Sequence, residues 1–206
     1  MQRATPYLTA FYFLKLNELA LNMTTKQKAV FLDRDGVINH DHAYVHKIED
    51  FEFIDGVFDA CRDFIAKGYI LIVVTNQSGI GRGYYDEAQF NQLTEWMKAQ
   101  FAQQQCPITE VYYCPHHPKK ALPEYLQDCD CRKPNPGMLQ QGIDAFDIDV
   151  SQSVMIGDKV SDVQAARAAG IKTAILVNSG QAFSEQDAAE ADQVCVSIKE
   201  TVAFVS

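Results

Sequence analysis

Short apolar runs alternate with amphipathic stretches along this chain, and that alternation constrains the fold more than any other feature. The apolar runs are residues 29–32, 69–74, 110–113, 153–156 and 173–177. Near-continuous apolar runs of this length are typical of strands that are buried on both faces, as in a parallel sheet. The sequence therefore predicts five buried β-strands.

The stretches between these runs carry apolar residues at helical spacing. We expect helices over residues 56–67, 86–104 and 160–169, and a further helix that starts at Pro136. Asp86 is a candidate N-cap, and Gly170 is expected to end the last of these helices. Strands that alternate with helices form right-handed βαβ units, so the predicted fold is α/β, with three α/β/α layers around a Rossmann-like parallel sheet.

The length and the first residues bear on domain organisation. At 206 residues the chain can bury one sizeable core, and we expect a single domain over residues 26–206. Residues 1–25 are expected to form an extension that is mobile or lies upstream of a native start at Met23. Lys15 and Glu18 interrupt its apolar stretch and no small-residue cleavage site follows, which argues against a secretory signal. We therefore expect a cytoplasmic protein, and a monomer.

The charge balance restricts the partners. The net charge of -9 argues against nucleic acid or an anionic membrane surface as a partner, because both require a broad basic face. No uncharged apolar run reaches the ~18 residues that a membrane span requires. A phosphorylated small molecule remains compatible, since a metal ion and a few lysines can create a positive pocket in an acidic protein.

Four polar segments occur in a fixed order, three of them directly after an apolar run. They are Asp33-Arg34-Asp35-Gly36, Thr75-Asn76-Gln77-Ser78, Arg132-Lys133-Pro134 and Gly157-Asp158-Lys159-Val160-Ser161-Asp162. Ligands of parallel α/β folds bind at the carboxyl ends of the strands, where such segments would meet. Each segment alone is weak evidence, because Asp-x-Asp-Gly is also ordinary turn chemistry. Together they predict a site for phosphoryl transfer.

Asp33 is the candidate nucleophile of that site. A carboxylate is ionised at neutral pH and attacks phosphorus without a base, but phosphoryl oxygens repel it. Mg2+ removes this repulsion and prefers oxygen ligands, so Asp33, Asp158 and the backbone carbonyl of Asp35 are the candidate magnesium ligands. The side chain of Asp35 is the candidate acid and base. The Thr75 hydroxyl and the Lys133 ammonium are candidates for holding the phosphoryl oxygens.

The four segments resemble motifs one to four of the haloacid dehalogenase-like phosphohydrolases. Longer strings around them, such as Val73-Val74-Thr75-Asn76-Gln77-Ser78-Gly79 and Cys131-Arg132-Lys133-Pro134, resemble the branch that dephosphorylates histidinol phosphate or a heptose bisphosphate. Residues 41–45, 51–57 and 112–118 are most similar to the heptose-specific members. The resemblance covers residues 29–191.

This resemblance implies an activity and further site residues. It implies a Mg2+-dependent phosphomonoesterase without a large cap domain, which works through an aspartyl-phosphate. The substrate would be a sugar bisphosphate, used in making activated heptose for lipopolysaccharide. The implied substrate-binding residues are Asp41, His42, Tyr44, Thr75, Asn76, Gln77, Ser78, Arg132, Lys133 and Lys159.

Two close pairs, Cys114-x-His116 and Cys129-x-Cys131, flank 12 residues and predict a second metal site. Three thiolates and one imidazole suit tetrahedral zinc, and four protein ligands leave no open position. We therefore predict a structural Zn2+ in the loop of residues 114–131. The family pattern favours His116 as the ligand, with His117 as the alternative. Because Arg132 and Lys133 directly follow Cys131, the ion would fix the backbone that carries both.

Two alternative functions remain at this point. Within the same family, a histidinol-phosphate phosphatase would use the same reacting groups. In a different class, a non-enzymatic scaffold would use the zinc loop as a partner surface, but it would have no need for the paired carboxylates. Asp162 is interpreted as a cap or as a partner of a lysine, and it stays outside the predicted metal ligands.

Overall fold

The structure, a computed structural model, describes residues 26–206, so the predicted extension over residues 1–25 lies outside the described residues. One sheet of six parallel strands forms its centre, in the order β3-β2-β1-β4-β5-β6. The strands are β1 (Lys28–Leu32), β2 (Tyr69–Asn76), β3 (Glu110–Cys114), β4 (Val154–Gly157), β5 (Thr173–Val177) and β6 (Gln193–Cys195).

Helices connect these strands. They are α1 (Val57–Ala66), α2 (Ser78–Gly81), α3 (Glu87–Gln103), α4 (Gly137–Ala145), α5 (Val160–Ala168), α6 (Glu185–Ala188) and α7 (Ile198–Thr201). Asp86 caps α3 as predicted, because its Oδ1 accepts from the backbone N–H of Gln89 at 2.8 Å. Gly170 follows α5 with a φ of +80°, a conformation that favours glycine. None of the helices found in residues 26–206 is long and apolar enough to cross a membrane.

Alternate residues of the strands enter two separate cores. On β1, Val30 and Leu32 pack into the core that contains α1, α3 and α7, whereas Phe31 packs into the core that contains α4 and α5. This alternation follows from the two-residue period of side chains along a strand. The predicted three-layer α/β/α fold is confirmed.

Strand β6 and three short helices were not predicted from the sequence. The strand has only three residues at the edge of the sheet, and Gln193 and Val194 are exposed there. It therefore lacks the continuous apolar run that marks a buried strand. The short helices α2, α6 and α7 have four residues each, too few to show a helical period.

The strand order creates a switch point between β1 and β4. From β1 the chain continues to β2 and β3 on one side, and from β4 to β5 and β6 on the other. The backbone N–H of Asp33, just beyond β1, donates to the carbonyl of Ile156 on β4 at 3.0 Å. Ligands of open parallel sheets bind in the crevice at such a point, so the two strand ends that carry Asp33 and Asp158 meet where binding is expected.

Candidate active site

Three carboxylates converge at the switch point. Asp33 follows β1, Asp158 follows β4, and Asp162 lies in the first turn of α5. Their oxygens lie within 4.8 Å of one another, and all three residues are buried, Asp158 completely. Desolvation and mutual repulsion disfavour three buried negative charges, so this cluster requires cations.

Lys133 supplies one of those cations. Its Nζ lies 3.1 Å from Asp33 Oδ1 and 2.6 Å from Asp162 Oδ1, and it donates to the carbonyl of Val74 at 2.7 Å. Burial acts to lower the pKa of Lys133, but the carboxylates of Asp162 and Asp33 together raise it. The ammonium therefore stays charged in the interior and neutralises part of the cluster.

Asp162 also fixes the start of α5, because its Oδ2 accepts from the backbone N–H of Lys159 at 3.0 Å. With Oδ1 against Lys133, both of its oxygens have partners within the protein. The structure thus gives Asp162 the two roles interpreted from the sequence, a cap and a partner of a lysine, although it lies in the carboxylate cluster.

Asp158 has a different environment. Its Oδ2 accepts from the backbone N–H of Gln181 at 2.9 Å, whereas its buried Oδ1 has no hydrogen-bond partner among residues 26–206. Burial, with the charge of Asp33 adding to it, raises the pKa of Asp158 to about 7. Gly36 lies against this carboxylate with a φ of +89°, and a Cβ there would come 2.5 Å from Oδ2. A divalent cation fits this position, because it would supply the missing partner of Oδ1 and offset the excess negative charge.

The side chain of Asp35 lies apart from this cluster. Its carboxylate accepts from Arg34 Nη2 at 2.8 and 2.9 Å, from Asn39 Nδ2 at 3.0 Å and from Gln77 Nε2 at 3.0 Å. Burial acts to raise the pKa of Asp35, but the charge of Arg34 and these hydrogen bonds outweigh it and lower the pKa. In this arrangement only the backbone carbonyl of Asp35 is left for the predicted role in metal binding.

Two side chains predicted to contact the substrate form hydrogen bonds within the protein. Asn76 accepts from the backbone N–H of Lys133 and donates to its carbonyl, both at 3.1 Å. Gln77 is buried, and its Nε2 donates to Thr75 Oγ1 at 2.9 Å while its Oε1 accepts from the Tyr85 hydroxyl at 2.5 Å. Both amides therefore hold the strand ends together, which leaves the Thr75 and Ser78 side chains and the backbone of this segment as the candidates for contacting the substrate.

A cavity of about 540 Å³ opens above these groups, within the range typical of small-molecule sites. It gathers eight of the ten predicted substrate-binding side chains, namely Asp41, Tyr44, Asn76, Gln77, Ser78, Arg132, Lys133 and Lys159. His42 points elsewhere: its Nε2 lies 3.4 Å from Glu52 Oε2, and it lines an adjoining cavity of about 740 Å³. The smaller cavity is lined by Asp35 and by Lys133, which contacts the clustered carboxylates, whereas the larger cavity is lined by neither, so the chemistry belongs to the smaller one.

The predicted zinc ligands come together in the loop of residues 114–131. The three sulfur atoms and His116 Nδ1 lie 3.1 to 3.7 Å from one another in all six pairs. Ligands at the corners of a zinc tetrahedron would be ~3.5 to 3.8 Å apart, given Zn–S bonds of ~2.3 Å. The four donors therefore fit one tetrahedral ion. Burial and the Cys131 thiol raise the pKa of Cys114, so a bound cation is needed to keep thiolates here.

His116 and His117 have different surroundings. The ring of His116 reaches the sulfur cluster, whereas His117 Nδ1 accepts from the backbone N–H groups of Lys119 and Lys120, both at 3.1 Å. The guanidinium of Arg132 donates to the carbonyl of His116 at 3.2 Å. The cluster thus connects the end of β3 to the segment that carries Arg132 and Lys133.

Sequence reasoning missed Gln181, which lies in the cavity wall. Its backbone N–H binds Asp158, and its Nε2 donates to Asp41 Oδ2 at 2.7 Å. The signal was present, because Gln181 follows the carboxyl end of β5, as the catalytic segments follow other strands. Extending the strand-end rule to β5 would have identified this segment.

The fold and the site define a class, that of parallel α/β enzymes which transfer phosphoryl groups at buried carboxylates. A family model described as "HAD-hyrolase-like" matches residues 130–201. The D-glycero-beta-D-manno-heptose-1,7-bisphosphate 7-phosphatase of Haemophilus ducreyi is 50% identical over 87% of this chain and 99% of its own length. Its counterpart in Escherichia coli K12 is 51% identical over 85% of this chain and 92% of its own length.

Solved structures give the same result. The crystal structure of a D,D-heptose 1,7-bisphosphate phosphatase from B. bronchiseptica, complexed with magnesium and phosphate, matches with a TM-score of 0.74 and 29% identity. The match covers 86% of this chain and 97% of that one. The chain belongs to the HAD-like hydrolases, and within them to the group of these curated phosphatases. It is therefore an enzyme that hydrolyses phosphoric monoesters, and the alternative of a non-enzymatic scaffold is set aside.

Proposed function

We propose that the enzyme removes the 7-phosphate from D-glycero-D-manno-heptose 1,7-bisphosphate. The observation that carries this proposal is 50% identity, over nearly the full length of the relative, to a phosphatase of this substrate. The described site supports it, because Asp35, Ser78 and the buried Lys133 line one cavity of suitable size, and Lys133 contacts the carboxylate cluster.

In this proposal Asp33 attacks the phosphorus and forms an aspartyl-phosphate. Its Oδ1 accepts from the backbone N–H of Arg34 at 2.7 Å and faces Lys133, which leaves Oδ2 for the attack. The hydroxyl of Thr75 and the ammonium of Lys133 bind the oxygens of the transferring group and stabilise its growing negative charge. Breaking the bond to the leaving oxygen and forming the bond to Asp33 Oδ2 completes the first step.

Asp35 must be protonated to provide the proton for the leaving oxygen, so it must first leave the charge of Arg34 and the hydrogen bonds that lower its pKa; as a carboxylate it then accepts a proton from the attacking water. Since its carboxylate accepts hydrogen bonds from Arg34, Asn39 and Gln77 in this structure, the side chain must rotate away from some of them to reach the reacting oxygens. We propose that substrate binding provides this rotation, because the cavity borders Asp35 directly.

Two metal ions complete the proposal. Asp33, Asp158 and the backbone carbonyl of Asp35 would hold Mg2+, which when bound neutralises the repulsion between the nucleophile and the phosphoryl oxygens. The unpartnered Oδ1 of Asp158 supports this assignment. Cys114, His116, Cys129 and Cys131 would hold a structural Zn2+, supported by their distances.

The remaining cavity residues would bind the sugar and its second phosphate. Arg132 is the candidate for the distal phosphate, because a guanidinium binds phosphate through two parallel hydrogen bonds. Lys159, with its Nζ 3.4 Å from Asp158 Oδ2, can reach the phosphoryl oxygens, while Asp41 and Tyr44 border the entrance. His42 lines the adjoining cavity, and we propose no substrate contact for it.

The proposal includes a cellular setting. The reaction would supply activated heptose for lipopolysaccharide in the cytoplasm. All six cysteines of the chain are free, and cysteines stay reduced in that compartment. The monomeric state remains a prediction.

A comparison of two substrates tests the proposed function. We expect kcat/KM on the heptose bisphosphate to exceed that on histidinol phosphate by at least ~100-fold, because histidinol phosphate has no second phosphate for Arg132. Both activities should disappear without Mg2+ and return when it is added. A preference for histidinol phosphate at equal concentration would replace the proposal with the alternative from the same family.

Replacement of Asp35 tests the two-step reaction. In Asp35→Asn the first step can still occur, but the water that hydrolyses the aspartyl-phosphate lacks its base, so the phosphoenzyme should accumulate. Brief reaction with substrate labelled in the phosphate, followed by acid quench, should leave label on the protein, and Asp33→Asn combined with Asp35→Asn should leave none. Residual turnover in Asp35→Asn without trapped label would contradict the assigned role.

A further inference from the structure

One wall of the cavity is formed by residues that are far apart in sequence. Gln181, beyond β5, donates from Nε2 to Asp41 Oδ2 at 2.7 Å, while its backbone N–H binds Asp158 Oδ2 at 2.9 Å. The segment after β5 is therefore fixed at both the carboxylate cluster and the entrance, and a side chain in this wall has a defined position relative to the reacting centre.

The chemistry of this wall differs from that of the rest of the cavity. Asp41 presents a carboxylate whose Oδ1 accepts from the backbone N–H of Ala43 at 3.0 Å, and its side chain is only 13% exposed. A carboxylate repels phosphate, so we expect the phosphates of a bisphosphate to bind elsewhere in the cavity. Phosphates belong on the side of Arg132 and Lys133, whereas the wall offers acceptors to uncharged donors.

An ammonium group is also a poor ligand for this wall. Lys159 Nζ already lies 3.8 Å from Asp41 Oδ2, and Arg132 and Lys133 border the same cavity. A further cation would be repelled by these three charges. Hydroxyl groups remain, since they donate to a carboxylate and both donate to and accept from an amide.

We propose that Asp41 and Gln181 form a polyol-binding subsite, which holds hydroxyl groups of the carbon chain next to the transferring phosphate. The inference rests on the proposed function for the position of that phosphate at Asp33. A carboxylate has about four acceptor positions, and on Asp41 two are used by Ala43 and Gln181 while the Lys159 ammonium lies 3.8 Å from Oδ2, so at least one position remains for the substrate. Gln181 both orients Asp41 and offers its own amide to a hydroxyl. It is thereby a specificity-determining residue of the enzyme.

Gln181→Met tests this subsite, because methionine has a similar length and keeps the backbone N–H that binds Asp158, but it lacks the amide. The probes are D-glucitol 6-phosphate, an open-chain polyol phosphate, and phenyl phosphate, which has no hydroxyls. We expect the ratio of their kcat/KM values, polyol over phenyl, to fall about tenfold, mostly through KM. Gln181→Ala should give the same change. Gln152→Ala, an exposed glutamine bonded to Asp149, is the matched control and should leave both activities unchanged.

The result separates three cases. A ratio within about twofold of the wild type would overturn the subsite. An equal loss on both probes would overturn it as well, because Gln181 would then serve only to hold Asp158. Turnover of the heptose bisphosphate by the wild-type enzyme is a separate measurement. If it fails while the ratio falls as expected, the subsite stands and the proposed substrate is wrong.

Discussion

Asp33→Asn is expected to lower kcat by at least about 10⁴-fold on every phosphate ester, because the amide can neither attack phosphorus nor carry the charge that binds Mg2+. Loss on all substrates is the signature of the nucleophile, since a residue that recognises the sugar would affect only sugar phosphates. Steady-state assays measure kcat on phenyl phosphate and on the heptose bisphosphate. Asp55→Asn replaces an aspartate whose side chain is fully exposed, and it is the matched control.

The same variant should remain folded. Burial raises the pKa of Asp33, and the charge of Asp162 adds to this, so the neutral asparagine relieves repulsion within the cluster. Lys133 loses one partner at 3.1 Å and keeps Asp162 at 2.6 Å. Without Mg2+ we expect a Tm within ~4 °C of the wild type, and with Mg2+ a smaller increase than the wild type shows. Activity within a few-fold of the wild type would refute the mechanism.

The strand-end residues could be predicted because the pattern that reveals them is local. The apolar run before Asp33 and the one before Asp158 mark buried strands, and all carboxyl ends of a parallel sheet lie on one edge. The order of the strands is not local, since β1 and β4 are neighbours although two strands separate them in the chain. That adjacency decides which two aspartates would share the proposed Mg2+.

The side chains of Asn76 and Gln77 form hydrogen bonds with residues that are distant in the sequence. Asn76 binds the backbone of Lys133, which is 57 residues away, and Gln77 reaches back 42 residues to Asp35. No spacing within a short segment reveals these hydrogen bonds. The polar character of Asn76 and Gln77 predicted a site at this strand end, but only the folded chain shows that their amides bind within the protein.

The position of His42 also depends on a feature of the folded chain that the sequence does not show. The two residues after it, Ala43 and Tyr44, both have positive φ values, 60° and 57°, so the chain turns sharply there. This turn leaves Asp41 and Tyr44 at the cavity and directs His42 toward Glu52. The neighbouring residues Asp41, His42 and Tyr44 were predicted to line one substrate entrance, but they are divided between two cavities.

Cys129→Ser is expected to remove zinc from the protein and to lower kcat/KM by about 10- to 100-fold, although the residue contacts no substrate. The purified wild-type enzyme should contain one zinc per chain, and it should keep that zinc when Mg2+ is exchanged, because the two sites use different ligands. Elemental analysis measures the zinc, and assays with excess Mg2+ measure the activity. Cys195→Ala, which changes a buried cysteine outside the cluster, should retain both.

The loss of activity follows from the position of the cluster in the chain. Cys131 directly precedes Arg132 and Lys133, and Cys129 is fixed further by a hydrogen bond of 2.8 Å from Asn135 Nδ2 to its carbonyl. Without the ion, no metal bond would join the four side chains, and the loop would open. Lys133 would then lose its fixed backbone, and its ammonium must lie within about 3 Å of the phosphoryl oxygens to stabilise them. If Cys129→Ser retained zinc, the ligand set would be wrong; if it lost zinc and kept full activity, the loop would not position Lys133.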